Sequence, residues 1–389
     1  FSDPQWIQVD LGSTVTVCQV VLQWEAAYAT GYQIQVSPDA SNWTTIYSTT
    51  TGTGGTQTLN ISGTGRYLRM NGTARATQYG YSLWELTVHT GGSGGTGGPS
   101  PTPSPTPAPS GSGNPPPDSF WGDTSTIPPA QNVLTVKILN RTNGHYPDSQ
   151  VYWSFNGQTH SIAEQQYLDM PANSAGRMYF YLGSPGSQYF DFIEFTVGAS
   201  VFNGNTTRVD AFGLKLAMRL HAHDGYDVSV GEDYNTFQED RSVTFQRFSN
   251  AVPAEFKPLA TVSAPFRIPA PGSYAGFQAG GANANYFTSY ASSVGVSEST
   301  SNIFGCAGSM ASNPTMCAAL NRHTAQLPSS QQQIPSNFYL AAPANYYAKF
   351  WHDNAINHLA YGFPYDDVGG QSSFISHGSP QYLLVAVGW

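Results

Sequence analysis

The segment Gly91–Pro117, GGSGGTGGPSPTPSPTPAPSGSGNPPP, constrains the chain more than any other. It has no branched aliphatic, aromatic or charged residue, so it offers nothing from which to build a core. Its Gly-rich first third favours a flexible coil. The alternation of Pro with Ser or Thr in its middle favours extended polyproline II. A chain of 389 residues has room for two or three domains. This stretch divides it into a unit 1–90, a linker 91–117 and a unit 118–389.

Asp, Glu, Lys and Arg make up 10% of the residues, against roughly 25% in an ordinary soluble domain. Gly, Ser, Thr, Asn and Gln replace them, and aromatics reach 13%. A surface of neutral hydroxyls, amides and rings suits a sugar polymer, which offers hydroxyls and apolar ring faces. With a net charge of −9 and no basic stripe, the chain has no means of displacing counterions from phosphates, which excludes nucleic acid. No apolar run approaches the roughly 20 residues that cross a bilayer, so no membrane partner is expected. The chain opens on Phe1-Ser2-Asp3 without a basic and then apolar leader; we read that start as cut, in a secreted, extracellular and monomeric protein.

Three cysteines are present. Cys306 and Cys317 lie in GCAGSMASNPTMC, a Gly/Ser/Asn-rich loop that gains little order from packing, and a disulfide between them is expected. Closing so short a loop contributes roughly 3 kcal/mol on the chain-entropy account. Cys18 is left over in the β-branched run TVCQVVLQW. It is expected to be buried on a strand and to have a partner further upstream.

Residues 1–90 read as short strands split by turns: WIQVDLG, VTVCQVVLQW, GYQIQVS, WTTIYST, QTLNIS, RYLRMNG and SLWELTVH. Alternation is plain in Tyr32-Gln33-Ile34-Gln35-Val36, and the whole is a β-sandwich pattern. Trp84 is assigned to its core. The second unit begins with strands at 133–140, 150–155, 177–182, 189–197 and 208–220. Helical patterns follow at 314–324 and 343–357, each opened by a Pro, and a last apolar strand covers 382–387. The second helix sets Tyr347, Phe350 and Trp351 on one face. The fold class is therefore mainly β, with an α+β second unit made of a β-sandwich and a helical lobe.

Common catalytic motifs are missing. The only G-x-S-x-G and G-x-G-x-x-G matches lie in the linker and follow no strand. His221-Ala222-His223-Asp224 sets two imidazoles on one strand face, which is one ligand short of a metal site. Carboxylates in strands carry more chemistry. Glu194 lies in Phe192-Ile193-Glu194-Phe195-Thr196, and Asp210 in Thr207-Arg208-Val209-Asp210. With a turn around Asn203-Gly204-Asn205, two consecutive strands would bring both acids to one cleft. Glycoside hydrolysis needs such a pair, one acid to protonate the leaving oxygen and one base to activate water. Spacing alone also fits a pair of acids facing solvent. Aromatic neighbours would desolvate Glu194 and keep it protonated, while Arg208, two residues from Asp210, would favour its ionised form. Thr196 shares the face of Glu194 within reach of a substrate hydroxyl, and Thr207 is a second substrate-contact candidate. Asp366 and Asp367 in FPYDDVGG are reserve acids and substrate contacts, with turn chemistry after Pro364 as the plain alternative.

The E-F-T of Glu194, followed sixteen residues after the Glu by V-D-x-F-G, resembles the cleft signature of thaumatin-like proteins. The stretch 121–389 more closely resembles glycoside hydrolase family 64, the laminaripentaose-producing β-1,3-glucanases. VYWSFNG, VDAFGLKLAM, VPAEFKPLA, CAALNRHT, YYAKFWHDN and AYGFPYDDVGG carry this likeness. The resemblance implies a thaumatin-like β-sandwich or barrel with a helical lobe and no cofactor for catalysis. It also implies inversion at the anomeric carbon, with Glu194 as general acid and Asp210 as general base. The stretch 198–206 lacks the aromatic residue on which relatives stack a sugar, so product length does not follow. In the first unit, PQWIQVDLG, GYQIQVS, SNWTTIYS, GRYLRMNGT and GYSLWELTV resemble discoidin-like (factor 5/8 type C) carbohydrate-binding modules, which begin further upstream. This implies an N-terminal discoidin-like β-sandwich. Glu85 matches that family's calcium-ligating glutamate, the basis for a structural calcium, and Tyr79 and Tyr28 fall in its sugar-contacting loops.

The leading expectation is an inverting, endo-acting hydrolase of β-1,3-glucan, releasing short laminari-oligosaccharides with help from a sugar-binding module. Two alternatives stand beside it: a non-catalytic thaumatin-like glucan-binding protein, and a hydrolase of another glycan such as chitosan.

Overall fold

The computed structural model describes residues 2–91 and 112–389. The linker conformation expected above falls outside them. The chain divides into two compact units, Phe1–Thr102 and Pro103–Trp389.

The first unit is a five-stranded antiparallel sheet in the order β3-β2-β4-β1-β5. Its strands are β1 (Gln5–Trp24), β2 (Ala29–Ser37), β3 (Thr44–Thr49), β4 (Thr56–Arg75) and β5 (Leu83–Gly91). β1 and β4 each join two runs that the sequence suggests as separate strands. Gly12-Ser13-Thr14 shifts register between Asp10 and Val15 instead of reversing the chain, as a bulge does. Inward alternation buries Val20, Leu22, Trp24, Tyr32, Ile34, Val36, Leu68 and Met70 in one cluster. Trp84 corrects the sequence reading: it is 76% exposed. Trp24 pairs with Leu83 and Gln23 with Glu85, so Trp84 is the unpaired residue of a bulge and is left on the outer face. Cys18 and Glu85 lie on β1 and β5, but their side chains are outside the described residues, and with them the expected burial of Cys18 and the calcium site at Glu85.

In the second unit two sheets pack face to face. One runs β17-β12-β11-β10-β7-β8 and the other β15-β14-β18-β6-β9. The first comprises β7 (Val151–Phe155), β8 (Gln158–Ser161), β10 (Ser174–Leu182), β11 (Phe190–Val197), β12 (Val201–Thr206) and β17 (Phe374–Gly378). The second comprises β6 (Leu134–Arg141), β9 (Tyr167–Met170), β14 (Lys215–Ala222), β15 (Asp227–Gly231) and β18 (Pro380–Gly388). Trp153, Met178, Phe180, Ile193 and Phe195 of one meet Val136, Ile138, Leu216, Met218 and Val385 of the other. Burying each large apolar side chain contributes about 1.5–3 kcal/mol. A short pair, β13 (Ala211–Phe212) with β16 (Ile268–Pro269), leads from the sandwich to a helical lobe. That lobe has its own core around Phe212, Phe248, Phe256, Tyr347 and Trp351.

Two helices of the lobe, Pro314–Asn321 and Tyr346–Asp353, begin where Asn313 and Asn345 accept the backbone N–H of Met316 and Ala348. Cys306 and Cys317 are joined in a disulfide, with their Cα atoms 5.7 Å apart. At the other end of the unit, Gly113 donates its N–H to Asp233 Oδ2 at 3.0 Å and Asn357 donates to the Gly113 carbonyl at 2.8 Å. The packed unit therefore starts inside the stretch the composition assigns to the linker.

Two expected features differ. Asn203-Gly204-Asn205 lies within β12, and the reversal after β11 is the tight Gly198–Ser200 turn, closed by the Gly198 N–H on the Val201 carbonyl at 2.8 Å. The strand expected over 208–220 is interrupted, because residues 207–210 leave the sheet. Arg208 is the cause. It is 3% exposed, and it donates to Asp191 Oδ2 at 2.7 Å and to Glu232 Oε1 at 2.7 Å. Following that charge inward turns the chain away from the ladder. His221 stacks on Tyr382, and His223 lies in the turn beyond β14, off the strand. Among the described residues no group of three or more His, Cys, Asp or Glu gathers as metal ligands.

Candidate active site

Alternation along β10 and β11 decides what the outer face of the six-stranded sheet presents. On β11, Ile193, Phe195 and Val197 point into the sandwich, while Glu194 and Thr196 point out. Register sets Arg177 of β10 opposite Glu194 on one side and Asn205 of β12 opposite it on the other. Arg177 donates from Nε to Glu194 Oε1 at 2.9 Å and from Nη1 to Asp210 Oδ2 at 3.1 Å. Asn205 adds a longer contact, 3.4 Å, to Glu194 Oε2. The guanidinium lies over the Phe192 ring at 4.2 Å, which fixes its plane. The side chains of Glu194 and Asp210 are 38% and 52% exposed, open to a ligand.

Asp210 reaches this place from a loop. The buried Arg208 anchors that loop beneath it, and its carbonyl accepts the Tyr347 hydroxyl at 2.7 Å while its N–H meets the Tyr361 carbonyl at 2.8 Å. Asp191 holds the far end of the loop by accepting the N–H groups of Gly213 and Leu214 at 2.7 and 3.0 Å. The sequence reading is corrected on two points here. Arg208 faces away from Asp210 into its own buried ion pairs, and the cation beside Asp210 is Arg177. Glu194 is half-exposed and bound by Arg177 and Asn205, so an apolar surrounding does not define it.

A groove of about 420 Å³ runs along the sheet face past Glu194, lined by Arg177, Thr196, Asn203, Asn205 and Phe374. A second hollow of about 360 Å³ lies past Asp210 on the helical-lobe side, lined by Pro271, Ser273, Phe304, Asn345 and Pro364. Tyr361, partly buried, donates its hydroxyl to the Pro364 carbonyl at 3.2 Å. Burial, then the charges of Asp367, Asp366 and Glu194, push its phenol up to about 12, so it remains a hydroxyl donor.

The other sequence candidates separate cleanly. Thr196 is exposed in the groove. Thr207 is 3% exposed and its Oγ1 accepts the Val209 N–H at 3.2 Å, so it shapes the loop. Asp366 is fully buried: Arg322, His352 and the Gly362 N–H take its oxygens at 2.9, 2.8 and 2.9 Å. It closes the FPYDDVGG loop and is excluded as a reserve acid, whereas Asp367 is exposed. In the first unit Tyr79 is 59% exposed, while Tyr28 packs partly buried beside Gly54.

Arg177, Asn205 and Tyr361 were not singled out from the sequence. Strand alternation alone would have offered Arg177 and Asn205 as outward residues. Only the register, which sets Arg177 and Asn205 on either side of Glu194, and the loop that brings Asp210 to Arg177 across 33 residues make them partners of the acids.

Residues 183–295 and 297–387, together more than half of the chain, match the Glyco_hydro_64 family model, described as Beta-1,3-glucanase. Residues 1–70 match the F5_F8_type_C_2 model of a NedA-like, galactose-binding domain. The chain is similar over its full length to the crystal structure of the family 64 laminaripentaose-producing β-1,3-glucanase of Paenibacillus barengoltzii. That likeness has 27% identity and a TM-score of 0.63, and it covers 100% of both chains. A GH64 β-1,3-glucanase domain from Clostridium beijerinckii, also a crystal structure, is 25% identical with a TM-score of 0.60, over 68% of this chain and 100% of that one. A glucan endo-1,3-beta-glucosidase of Cellulosimicrobium cellulans is 42% identical over 72 residues, which span 18% of this chain and only 13% of that curated relative's length. With the family model matched over more than half of the chain, from β11 through the helical lobe to β18, the chain belongs to the family 64 β-1,3-glucanases.

Proposed function

We propose that this chain is an inverting, endo-acting hydrolase of β-1,3-glucan, with Glu194 as general acid and Asp210 as general base. The observation that carries the reading is the single guanidinium of Arg177 between the two carboxylates, at the meeting of the sheet groove and the lobe hollow. Nε and Nη1 lie on different edges of the guanidinium. The carboxylates therefore approach it from different sides and stand apart, as inversion requires: about 6.5–9.5 Å leaves space for the attacking water, against about 5–5.5 Å in a retaining pair. Thr196 and Asn203, on the groove side, suit the hydroxyls of a sugar joined through the glycosidic oxygen that Glu194 protonates as water attacks the anomeric carbon. The relatives named above are β-1,3-glucanases, and one from Paenibacillus barengoltzii was solved with laminarihexaose.

The second part of the proposal concerns the first unit. It is a discoidin-like sugar-binding module, appended to a thaumatin-like catalytic unit in a secreted protein, and Trp6, Tyr79 and Trp84 are exposed rings on it. The Cys306–Cys317 disulfide supports an oxidising compartment.

Product analysis on curdlan beside chitosan and cellulose, with Glu194→Gln as a blank, tests the function. Laminari-oligosaccharides from curdlan alone support it. Reducing ends from chitosan would select the other glycan, and pull-down by curdlan without reducing ends would select a binding protein.

A further inference from the structure

The outward face of the six-stranded sheet continues past the acid pair. Arg177, Tyr179 and Tyr181 stand outward along β10, while Met178 and Phe180 between them, and Leu182 after them, are buried in the sandwich. Register places Tyr179 opposite Phe192, and Tyr181 between Phe190 of β11 and Tyr152 of β7. The Tyr179 and Tyr181 rings are nearly parallel, 15° apart with centroids at 6.2 Å. Cations roof the two phenylalanines, Arg177 over Phe192 at 4.2 Å and Arg267 over Phe190 at 4.1 Å. Tyr152, Tyr179 and Tyr181 are left partly exposed on the face that carries Glu194.

Amphipathic rings that present an apolar face and a polar tip match a pyranose, which offers C–H faces and a rim of hydroxyls. Position identifies the occupant. Two residues along a strand advance about 6.6–6.8 Å, so Tyr179 and then Tyr181 follow Arg177 in single steps away from the acids. They lead in the direction opposite to Thr196 and Asn203. Beyond Arg177 the face carries the Arg267 cation, which is held over the Phe190 ring.

We propose that Tyr152, Tyr179 and Tyr181 form an aromatic platform that holds pyranose units of the β-1,3-glucan on the far side of the acid pair from the Thr196 groove. The cleft then has one polar and one aromatic arm. The proposal rests on the hydrolase reading above and adds to it where the chain is gripped.

The test is kcat/KM over a series of laminari-oligosaccharides of increasing length, for the wild type, Tyr181→Ala and Tyr181→Phe. Tyr181 is the outer of the two β10 rings, so only longer chains reach it. Tyr181→Ala should raise KM for long oligosaccharides about tenfold with a smaller change in kcat, and should flatten the gain of kcat/KM with length. Tyr181→Phe, which keeps the ring, should stay near the wild type. The same length dependence in Tyr181→Ala as in the wild type would overturn the platform alone. A wild type that cleaves none of the series would overturn the hydrolase reading and the platform with it. Should Tyr181→Ala unfold, Tyr152→Ala in the Glu194→Gln background gives the second reading by calorimetry with laminarihexaose. Weakened binding supports the platform, and unchanged binding overturns it.

Discussion

Arg177 faces Glu194 across the β10–β11 ladder and donates to it at 2.9 Å, and with a second nitrogen it reaches Asp210 at 3.1 Å. One cation therefore sets the spacing of two carboxylates that arrive on different elements, one on a strand and one on a loop. Replacing it frees both side chains without opening the core, since Arg177 itself is exposed. Arg177→Met should lower kcat by about 10²-fold, the size of effect expected when reacting groups lose about 1 Å of alignment, and leave the thermal midpoint near the wild type. Steady-state kinetics beside thermal unfolding checks this. Unchanged kcat would remove Arg177 from the account.

Arg208 does the corresponding work below the surface. Burial opposes its charge, but Glu232 and Asp191 outweigh that and its pKa is raised. Arg208→Met would leave Asp191 and Glu232 buried without a cation, which costs about 3–5 kcal/mol when one partner of a buried pair is removed. Urea unfolding should report that loss, and activity should fall with it as the Asp210 loop loses its anchor. A variant of wild-type stability would contradict the role given to the pair.

The His352–Asp366 contact makes part of the stability depend on pH. Burial acts to lower the imidazole pKa, but Asp366 at 2.8 Å and the His358 carbonyl outweigh it, and the pKa is raised. Arg322, also on Asp366, acts to lower it. A pKa raised on folding adds stability that is fully present below the unfolded value of about 6.5 and fades as pH rises through the folded value. Thermal midpoints from about pH 5 to about pH 9 should show the gap between the wild type and His352→Gln shrinking as pH rises. A constant gap would rule the contribution out.

The linker predicts a division of labour. Cleavage near Pro105 should leave hydrolysis of soluble laminarin nearly unchanged and weaken action on insoluble glucan, because the packed second unit begins only around Ser112 and Gly113. Rates on both substrates, before and after cleavage, check it. Equal loss on both would mean that the units share one site.

What the sequence made legible follows from periodicity. Glu194 and Thr196 could be set on one outward face because β11 alternates, and Tyr347, Phe350 and Trp351 on one buried face because 346–353 repeats helically. What stayed hidden depended on pairing across long separations. Asp366 looks like any turn aspartate until Arg322, 44 residues away, is found on its carboxylate. Arg208 looked like a neighbour of Asp210 because two residues along a strand share a face. The chain instead leaves the ladder at that point, drawn by Asp191 and Glu232. Trp84 failed as a core residue for a similar reason, since one bulge reverses the face. Gly213 is another residue whose need shows only in the fold: a Cβ there would sit 1.9 Å from the Phe190 carbonyl oxygen.

The stereochemistry of the first product tests the central claim most directly, because inversion follows from two separated carboxylates acting on a water between them. Proton NMR should be recorded within the first minutes of laminarin hydrolysis, before mutarotation mixes the anomers. The α-anomer should appear first at the new reducing end, and the β-anomer only later. A β-anomer appearing first would mean retention, and Glu194 and Asp210 could not then be the acid and base described here.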